Sequence, residues 1–310
     1  MKAFSFCLLL ICLGECTICD AQQPHLDSFR IYNDVKITLD APSFQYKRTT
    51  LILFALPNGN TTAQTMGKKL APGDDWHFDI QHIKAQTSFL RKKLKQNIVV
   101  AYLENNYRSW PLWKQKHPYF KAEIRHIVDT LYALIPSKKK TIQLSGHSGG
   151  GSFIFGYLAA VEKIPAVVQR ITFLDSDYGY DSSYYNELKT WLKENKTATL
   201  TVFAYNDSVA LLNGKPFVSA TGGTWFRSHL MLQHLQNDFL FKQPKNDSLI
   251  FYRSANDQIA FFFKTNPDRK IFHTQQVQLN GFIHSVLYRT NEENKGYEYF
   301  GPRAYSQFIE

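Results

Sequence analysis

One glycine-rich stretch constrains the fold of this chain more than any other part of its sequence. The segment Thr141-Ile-Gln-Leu-Ser-Gly-His-Ser-Gly-Gly-Gly-Ser152 begins as an apolar run, and an apolar helical pattern over residues 153–158 follows it at once. This order predicts a strand, a sharp turn with Ser148 at its tip, and a helix. The turn needs small neighbours, because Gly146 and Gly150 leave room for the strand and the helix to cross.

The rest of the chain alternates between predicted strands and predicted helices. Apolar runs predict buried strands at residues 50–56, 97–103, 171–174 and 198–205. We also expect an entry hairpin within residues 22–47 and a last strand over residues 270–277, while the pattern over residues 258–264 fits either a helix or a strand. Strands that alternate with amphipathic helices are typical of an α/β fold, with a mostly parallel central sheet and helices on both faces.

The N-terminal segment has the pattern of a secretory signal peptide. A basic start at Lys2 is followed by a short apolar region and by the small residue Ala21. We therefore predict a signal peptide over residues 1–21 and a secreted or periplasmic protein. Glu15 lies near the end of the apolar region, which disfavours both a membrane span and lipid attachment at Cys16.

The cysteines bear on how the exported chain is stabilised. All four lie inside the predicted signal peptide, so the mature chain is expected to have no disulfide. Residues 22–310 suffice for a single α/β domain with one sizeable core. The pattern is less regular over residues 211–256, and we interpret this stretch as a possible insertion or lid.

The charge and the motifs exclude several functions. The formal net charge is +10, but the lysines and arginines are scattered, and no basic nucleic-acid-binding module is recognisable. No phosphate loop, dinucleotide fingerprint or metal-ligand spacing occurs, so we expect neither a metal nor a cofactor. The sequence favours a small-molecule or glycan-ester partner without stable membrane insertion, and it leaves the oligomeric state open.

Over about residues 48–300, the element order and the Ser148 turn resemble the α/β-hydrolase fold superfamily. Three strings are also similar to secreted members, namely Ala55-Leu-Pro-Asn-Gly-Asn60, Asn213-Gly-Lys-Pro-Phe-Val-Ser219 and Asn280-Gly-Phe-Ile-His284. The resemblance implies a serine hydrolase that cleaves a carboxylic ester by acyl transfer. The alternatives are a serine peptidase or amidase of this fold, and a non-catalytic polysaccharide-binding protein on the same scaffold.

A serine hydroxyl needs a histidine and a carboxylate before it becomes a nucleophile. The resemblance implies the chain order serine, acid, histidine, with the histidine in the loop after the last strand. His284 follows the predicted strand 270–277 and is our candidate base, whereas His273 falls inside that strand pattern. Asp207 ends the strand 198–205 and is our candidate acid. Further candidate acids are Asp175, Asp177 and Asp257.

The remaining site predictions concern the oxyanion and the substrate. The amide of Gly149, directly after the serine, is one predicted oxyanion donor. The second is predicted in the loop after the strand 50–56, at Asn60, with Gly59 as the alternative. Five aromatic residues lie on segments that reach this edge of the sheet, namely Trp110, Trp113, Tyr178, Tyr180 and Trp225. We predict that Trp110 and Trp225 wall the substrate cleft, and the alternative for each of the five is packing in the core.

Overall fold

In the computed structural model, which describes residues 25–242 and 248–310, a nine-stranded sheet runs through the centre of the protein. Its strands are β1 (His25–Tyr32), β2 (Val35–Ala41), β3 (Arg48–Ala55), β4 (Asn97–Asn105), β5 (Lys139–His147), β6 (Val168–Leu174), β7 (Thr199–Tyr205), β10 (Leu249–Arg253) and β11 (Ile259–Lys264). A separate small hairpin consists of β8 (Leu211–Leu212) and β9 (Lys215–Pro216).

Helices connect the strands and cover the sheet. They are α1 (Thr62–Met66), α2 (Ile83–Lys93), α3 (Trp110–Lys116), α4 (Phe120–Leu134), α5 (Gly151–Leu158), α6 (Tyr185–Glu194), α7 (Thr224–Gln236), α8 (Gln275–Gln278) and α9 (Gly281–Leu287). The order across the sheet is β1-β2-β4-β3-β5-β6-β7-β11-β10. Strands β4, β3, β5, β6, β7 and β11 run parallel, and β1, β2 and β10 are antiparallel to their neighbours. The predicted α/β class and the entry hairpin are confirmed.

Strand β3 explains why both faces of the sheet are covered. Its side chains alternate between the faces, as every strand requires. Leu51 and Leu53 belong to the core cluster packed by helices α3 to α7, whereas Ile52 and Phe54 belong to the cluster packed by α2, α8 and α9. All four side chains are buried. A strand buried on both faces must be apolar at every position, which is why β3 appears in the sequence as a continuous apolar run.

The last strand differs from the prediction over residues 270–277. It is β11, whose run Ile259-Ala-Phe-Phe-Phe-Lys264 pairs in parallel with β7. Residues 265–274 form a loop, and the short helix α8 follows it. The sequence pattern at 270–277 alternates weakly, but the continuous apolar run of β11 buries far more surface between its two neighbours.

Within the described part of the stretch 211–256, one helix packs against the main sheet and one strand belongs to it. Helix α7 packs Met231 and Leu235 into the core, and β10 is an edge strand of the sheet. The predicted signal peptide over residues 1–21, with its cysteines, lies outside the described residues. Among the helices of the described ranges, none is long and apolar enough to span a membrane.

Candidate active site

The Ser148 turn has the backbone that the sequence predicts. Strand β5 ends at His147, residues Ser148–Gly150 form a single 3₁₀ turn, and α5 begins at Gly151. Ser148 itself has φ = 53°, a left-handed conformation that is strained for a residue with a Cβ atom. Such strain, held by a strand on one side and a helix on the other, lifts the serine side chain out of the sheet edge.

The glycines around Ser148 are required by close backbone contacts. A Cβ atom on Gly146 would lie 2.8 Å from the carbonyl carbon of Gly150, so these two glycines permit the crossing of β5 and α5. A Cβ atom on Gly151 would overlap the carbonyl oxygen of Ser176. Main-chain atoms therefore pack so closely against Gly146 and Gly151 that a Cβ atom at either position would displace them.

Ser148 lies in a cleft of about 450 Å³ at the carboxyl edge of the sheet. This volume lies within the range of clefts that bind small organic ligands. The residues that line it are Asn58, Pro111, Lys114, Ser148, Gly149, Ser152, Phe155, Ser176, Tyr178, Gly179 and Tyr184. The cleft is therefore a mixture of polar groups near Ser148 and aromatic rings.

A histidine–carboxylate pair adjoins this turn. His273 lies in the loop after β11, and its Nδ1 donates a hydrogen bond to Oδ2 of Asp175. Asp175 directly follows β6, has φ = 48° and is fully buried. Its second oxygen accepts a hydrogen bond from the hydroxyl of Thr224, at the start of α7. A carboxylate held in this way fixes the tautomer and the orientation of the imidazole.

His147, the residue before Ser148, is hydrogen-bonded to the loop that carries His273. Its Nε2 donates to the carbonyl oxygen of His273 over 3.2 Å, and the centroids of the two rings are 4.5 Å apart. Burial, and then the neighbouring His273, holds the pKa of His147 well below its ordinary value. Because His147 precedes Ser148 directly, this hydrogen bond holds the loop of His273 beside the Ser148 turn.

His284 lies elsewhere, and the structure does not bring it to Ser148. It is buried in α9, where its Nδ1 is 3.0 Å from the hydroxyl of Tyr297 and its ring stands at 90° to Phe262. It lines a different cavity, of about 600 Å³, together with Arg253. Burial, and then nearby arginines, lowers the pKa of His284 to about 3. The predicted role of general base is therefore not supported by its position on the sheet face.

Asp207 was predicted to orient a histidine, but its hydrogen-bond partners are main-chain amides. Its Oδ2 accepts from the amide of Thr224 over 2.8 Å and its Oδ1 from the amide of Trp225 over 3.3 Å, so it caps the start of α7. Burial, and then the charge of Asp175, raises the pKa of Asp207 to about 6. Asp207 thus supports the helix that positions Thr224, and Asp175 is the acid that holds a histidine.

The two other candidate acids, Asp177 and Asp257, also have polar partners. Asp177 accepts a hydrogen bond from the hydroxyl of Ser228 over 2.8 Å, and burial raises its pKa well above the ordinary value. Asp257 forms an ion pair of 3.0 Å with Lys242 at the surface. Neither contact involves a histidine.

Of the predicted oxyanion donors, Gly149 lines the cleft, and Asn60 and Gly59 do not. Gly149 lines the cleft beside Ser148, as expected from its place in the chain. The amide of Asn60 instead donates to the carbonyl oxygen of Pro57 over 3.4 Å, and that of Gly59 donates to Arg108 over 2.8 Å. In the same loop, the side chain of Asn58 lines the cleft and lies against Gly149, with Oδ1 as the nearest atom and Nδ2 next to it.

Neither predicted tryptophan lines this cleft. Trp110 is buried, donates from Nε1 to the carbonyl oxygen of Leu103 over 3.2 Å and packs edge-to-face on Phe153. Trp225 packs against Phe263 on the sheet face. Both contribute to the core, because large aromatic side chains gain most by burying their area. The aromatic lining of the cleft comes instead from Phe155, Tyr178 and Tyr184.

Residues 270–277 were assigned to a strand, and for this reason the sequence pattern did not favour His273 as the candidate base. With β11 as the last strand, His273 lies in the loop that follows it, where the candidate base was expected. The run of three phenylalanines at 261–263 was the sequence signal for this strand. Asp175 was among the candidate acids, and only its contact with His273 separates it from Asp207.

The parallel sheet, its strand order and the strained Ser148 turn between β5 and α5 together define the α/β-hydrolase fold. The chain is similar to poly(aspartic acid) hydrolase-1 from Sphingomonas sp. KT-1, with 15% identity over 86% of this chain and 99% of that chain and a TM-score of 0.48. It is also similar to a siderophore hydrolase from Aspergillus nidulans (11% identity, 92% and 99% coverage, TM-score 0.42). An acetyl xylan esterase from Aspergillus awamori is a third similar structure (9% identity, 78% and 92% coverage, TM-score 0.43).

Neither a family model nor a curated protein sequence matches the chain. The structural likenesses are too distant to transfer a substrate, and the assignment of the fold rests on the sheet and on the Ser148 turn.

Proposed function

We propose that this protein is a serine hydrolase that cleaves a carboxylic ester through Ser148, His273 and Asp175. The observation that carries the proposal is the hydrogen bond between His273 and Asp175, fastened beside the strained Ser148 turn by His147. A nucleophile on an elbow, a histidine and an acid that orients the histidine are the parts that acyl transfer requires.

The proposed reaction follows from the atoms that remain available. Nδ1 of His273 is committed to Asp175, so Nε2 is the nitrogen that takes the proton from the Ser148 hydroxyl. The serine oxygen adds to the ester carbonyl, and the tetrahedral intermediate collapses when His273 returns that proton to the leaving alcohol. Water then gives a proton to His273 and adds to the acyl carbonyl, and the acid leaves when His273 returns that proton to the Ser148 oxygen. Asp175 stabilises the imidazolium in both half-reactions.

We propose that two amides stabilise the oxyanion. The main-chain amide of Gly149 follows the nucleophile and opens a helical turn, so it faces developing negative charge. The side-chain amide of Asn58 is the second donor, because it lies against Gly149 in the same cleft. We assign Asn58 this role in place of Asn60, whose amide already has an acceptor in Pro57.

Two histidine variants and one serine variant test the proposal. We expect Ser148→Ala and His273→Gln each to lower kcat on 4-nitrophenyl acetate by about a thousandfold or more. His284→Gln serves as the matched control and should keep kcat near that of the wild type. Thermal unfolding of each variant identifies any loss that comes from misfolding.

The opposite pattern would refute the assignment of the base. If His284→Gln removes the activity and His273→Gln keeps it, in proteins that both fold, then the general base lies at His284. A fluorophosphonate probe tests the nucleophile separately. Failure to label Ser148 in the folded protein would favour the alternative of a non-catalytic binding protein.

We further propose that the enzyme is exported. The support is the basic start, apolar region and small residue at Ala21 within residues 1–21. N-terminal sequencing of the protein recovered outside the cytoplasm should begin at Gln22. A chain that keeps Met1 and stays in the cytoplasm would contradict export without affecting the catalytic proposal.

A further inference from the structure

The cleft around Ser148 has one feature that ester hydrolysis does not explain. Among the described residues that line it, Lys114 is the only one with a formally charged side chain, and no carboxylate is present. Lys114 lies on α3, and Phe155, Tyr178 and Tyr184 contribute aromatic rings to the same lining. The lining therefore combines a nucleophile, an apolar wall and a cation.

Lys114 has no anionic partner within the described part of the chain. Its Nζ lies 5.4 Å from the ring centroid of Phe120, a cation–π contact, and no ion pair of Lys114 occurs there. Its aliphatic part is held against α5, because Gly156 leaves space next to the Lys114 Cδ atom. Burial lowers the pKa of Lys114, which is the effect expected when an ammonium group loses water without gaining a carboxylate.

We infer that Lys114 binds an anionic group of the substrate, so that the enzyme prefers esters whose acyl part carries a carboxylate. This inference rests on the proposed function of Ser148 and adds the substrate class. The cleft of about 450 Å³ holds both residues, and the aromatic wall suits a short apolar chain between the ester and the carboxylate. The carboxylate supplies the partner that Lys114 lacks, in a site where water screens the charges weakly.

A matched pair of esters tests the charge. Mono-4-nitrophenyl glutarate and 4-nitrophenyl pentanoate have acyl chains of the same length and differ in a terminal carboxylate against a methyl group. We expect Lys114→Met to lower kcat/KM for the glutarate ester by about ten- to a hundredfold, the range of a charge-assisted hydrogen bond. The pentanoate ester should change by less than about threefold.

Two further variants separate charge at this position from general effects. Lys114→Arg keeps the charge and should retain most of the preference for the glutarate ester. Lys116→Met removes an exposed charge from the same helix and should leave both esters unchanged. The inference is overturned if Lys114→Met changes both esters by the same factor, or if Lys116→Met reproduces its effect.

Ser148→Ala and a binding measurement separate the role of Lys114 from the proposed role of Ser148. Ser148→Ala must abolish turnover of both esters if the proposed function is right, whatever the role of Lys114. If the wild type cleaves neither ester, calorimetric titration with free glutarate decides the matter. Binding that Lys114→Met weakens by about tenfold or more supports the anion site, and equal binding by both proteins overturns it.

Discussion

Asp207 provides a test of the electrostatics behind the active site. It is 2% exposed, it lies near Asp175, and it caps α7 through the amides of Thr224 and Trp225. The substitution Asp207→Asn keeps one carbonyl oxygen for the helix amides and removes the ionisable group. We expect it to change the pH dependence of stability more than it changes stability at acidic pH.

The magnitude follows from the pKa of Asp207. Burial and the charge of Asp175 raise this pKa from 3.8 to about 6. Because the folded-state pKa lies above the unfolded one, ionisation of Asp207 costs stability in the folded protein. The free energy of unfolding therefore falls as the pH rises from about 4 through about 6, by about 3 kcal/mol from this group. In Asp207→Asn the free energy of unfolding does not fall in this way, because asparagine does not ionise.

Urea unfolding between pH 4 and pH 8 measures the effect. The difference in unfolding free energy, variant minus wild type, should grow by about 3 kcal/mol across this range, and the lost hydrogen bond to Trp225 should subtract about 1 kcal/mol at every pH. Glu162→Gln, at an exposed position, is the control and should give a curve parallel to the wild type. Parallel curves for Asp207→Asn and the wild type would refute the reasoning.

Two further substitutions test the turn and the oxyanion site. Asn58→Ala should lower kcat on 4-nitrophenyl acetate by about a hundredfold and leave KM nearly unchanged, because the side-chain amide is proposed to stabilise the oxyanion. A kcat from initial rates that equals the wild-type value would contradict this role of Asn58. Gly151→Ala should lower the free energy of unfolding by about 1–3 kcal/mol, since its Cβ would overlap the carbonyl oxygen of Ser176, and urea unfolding at the wild-type midpoint would count against that reasoning.

The prediction of the last strand shows how sequence patterns fail. The segment 270–277 and the run Ile259–Lys264 both contain apolar residues, but only the second pairs with β7. A short apolar run does not by itself distinguish strand from helix or loop, and the choice depends on which run finds a neighbouring strand edge. Because residues 270–277 were predicted to be a strand, the sequence pattern favoured His284 over His273 as the candidate base.

The tryptophans illustrate a second limit. Trp110 and Trp225 lie on segments that reach the carboxyl edge of the sheet, yet Trp110 is buried and Trp225 packs against Phe263, so neither ring lines the cleft. Periodicity identifies the segment that approaches a cleft. It does not decide which side of the segment faces the cleft, because that depends on the elements packed behind it.

The amino-acid sequence alone determined the α/β class and the Ser148 turn, because both depend on neighbours along the chain. A strand, a cluster of glycines and a helix within residues 139–158 suffice for the elbow. Tertiary structure alone decided which imidazole meets which carboxylate. His273 and Asp175 are 98 residues apart, and they meet only because β6 and β11 end at the same edge of a parallel sheet.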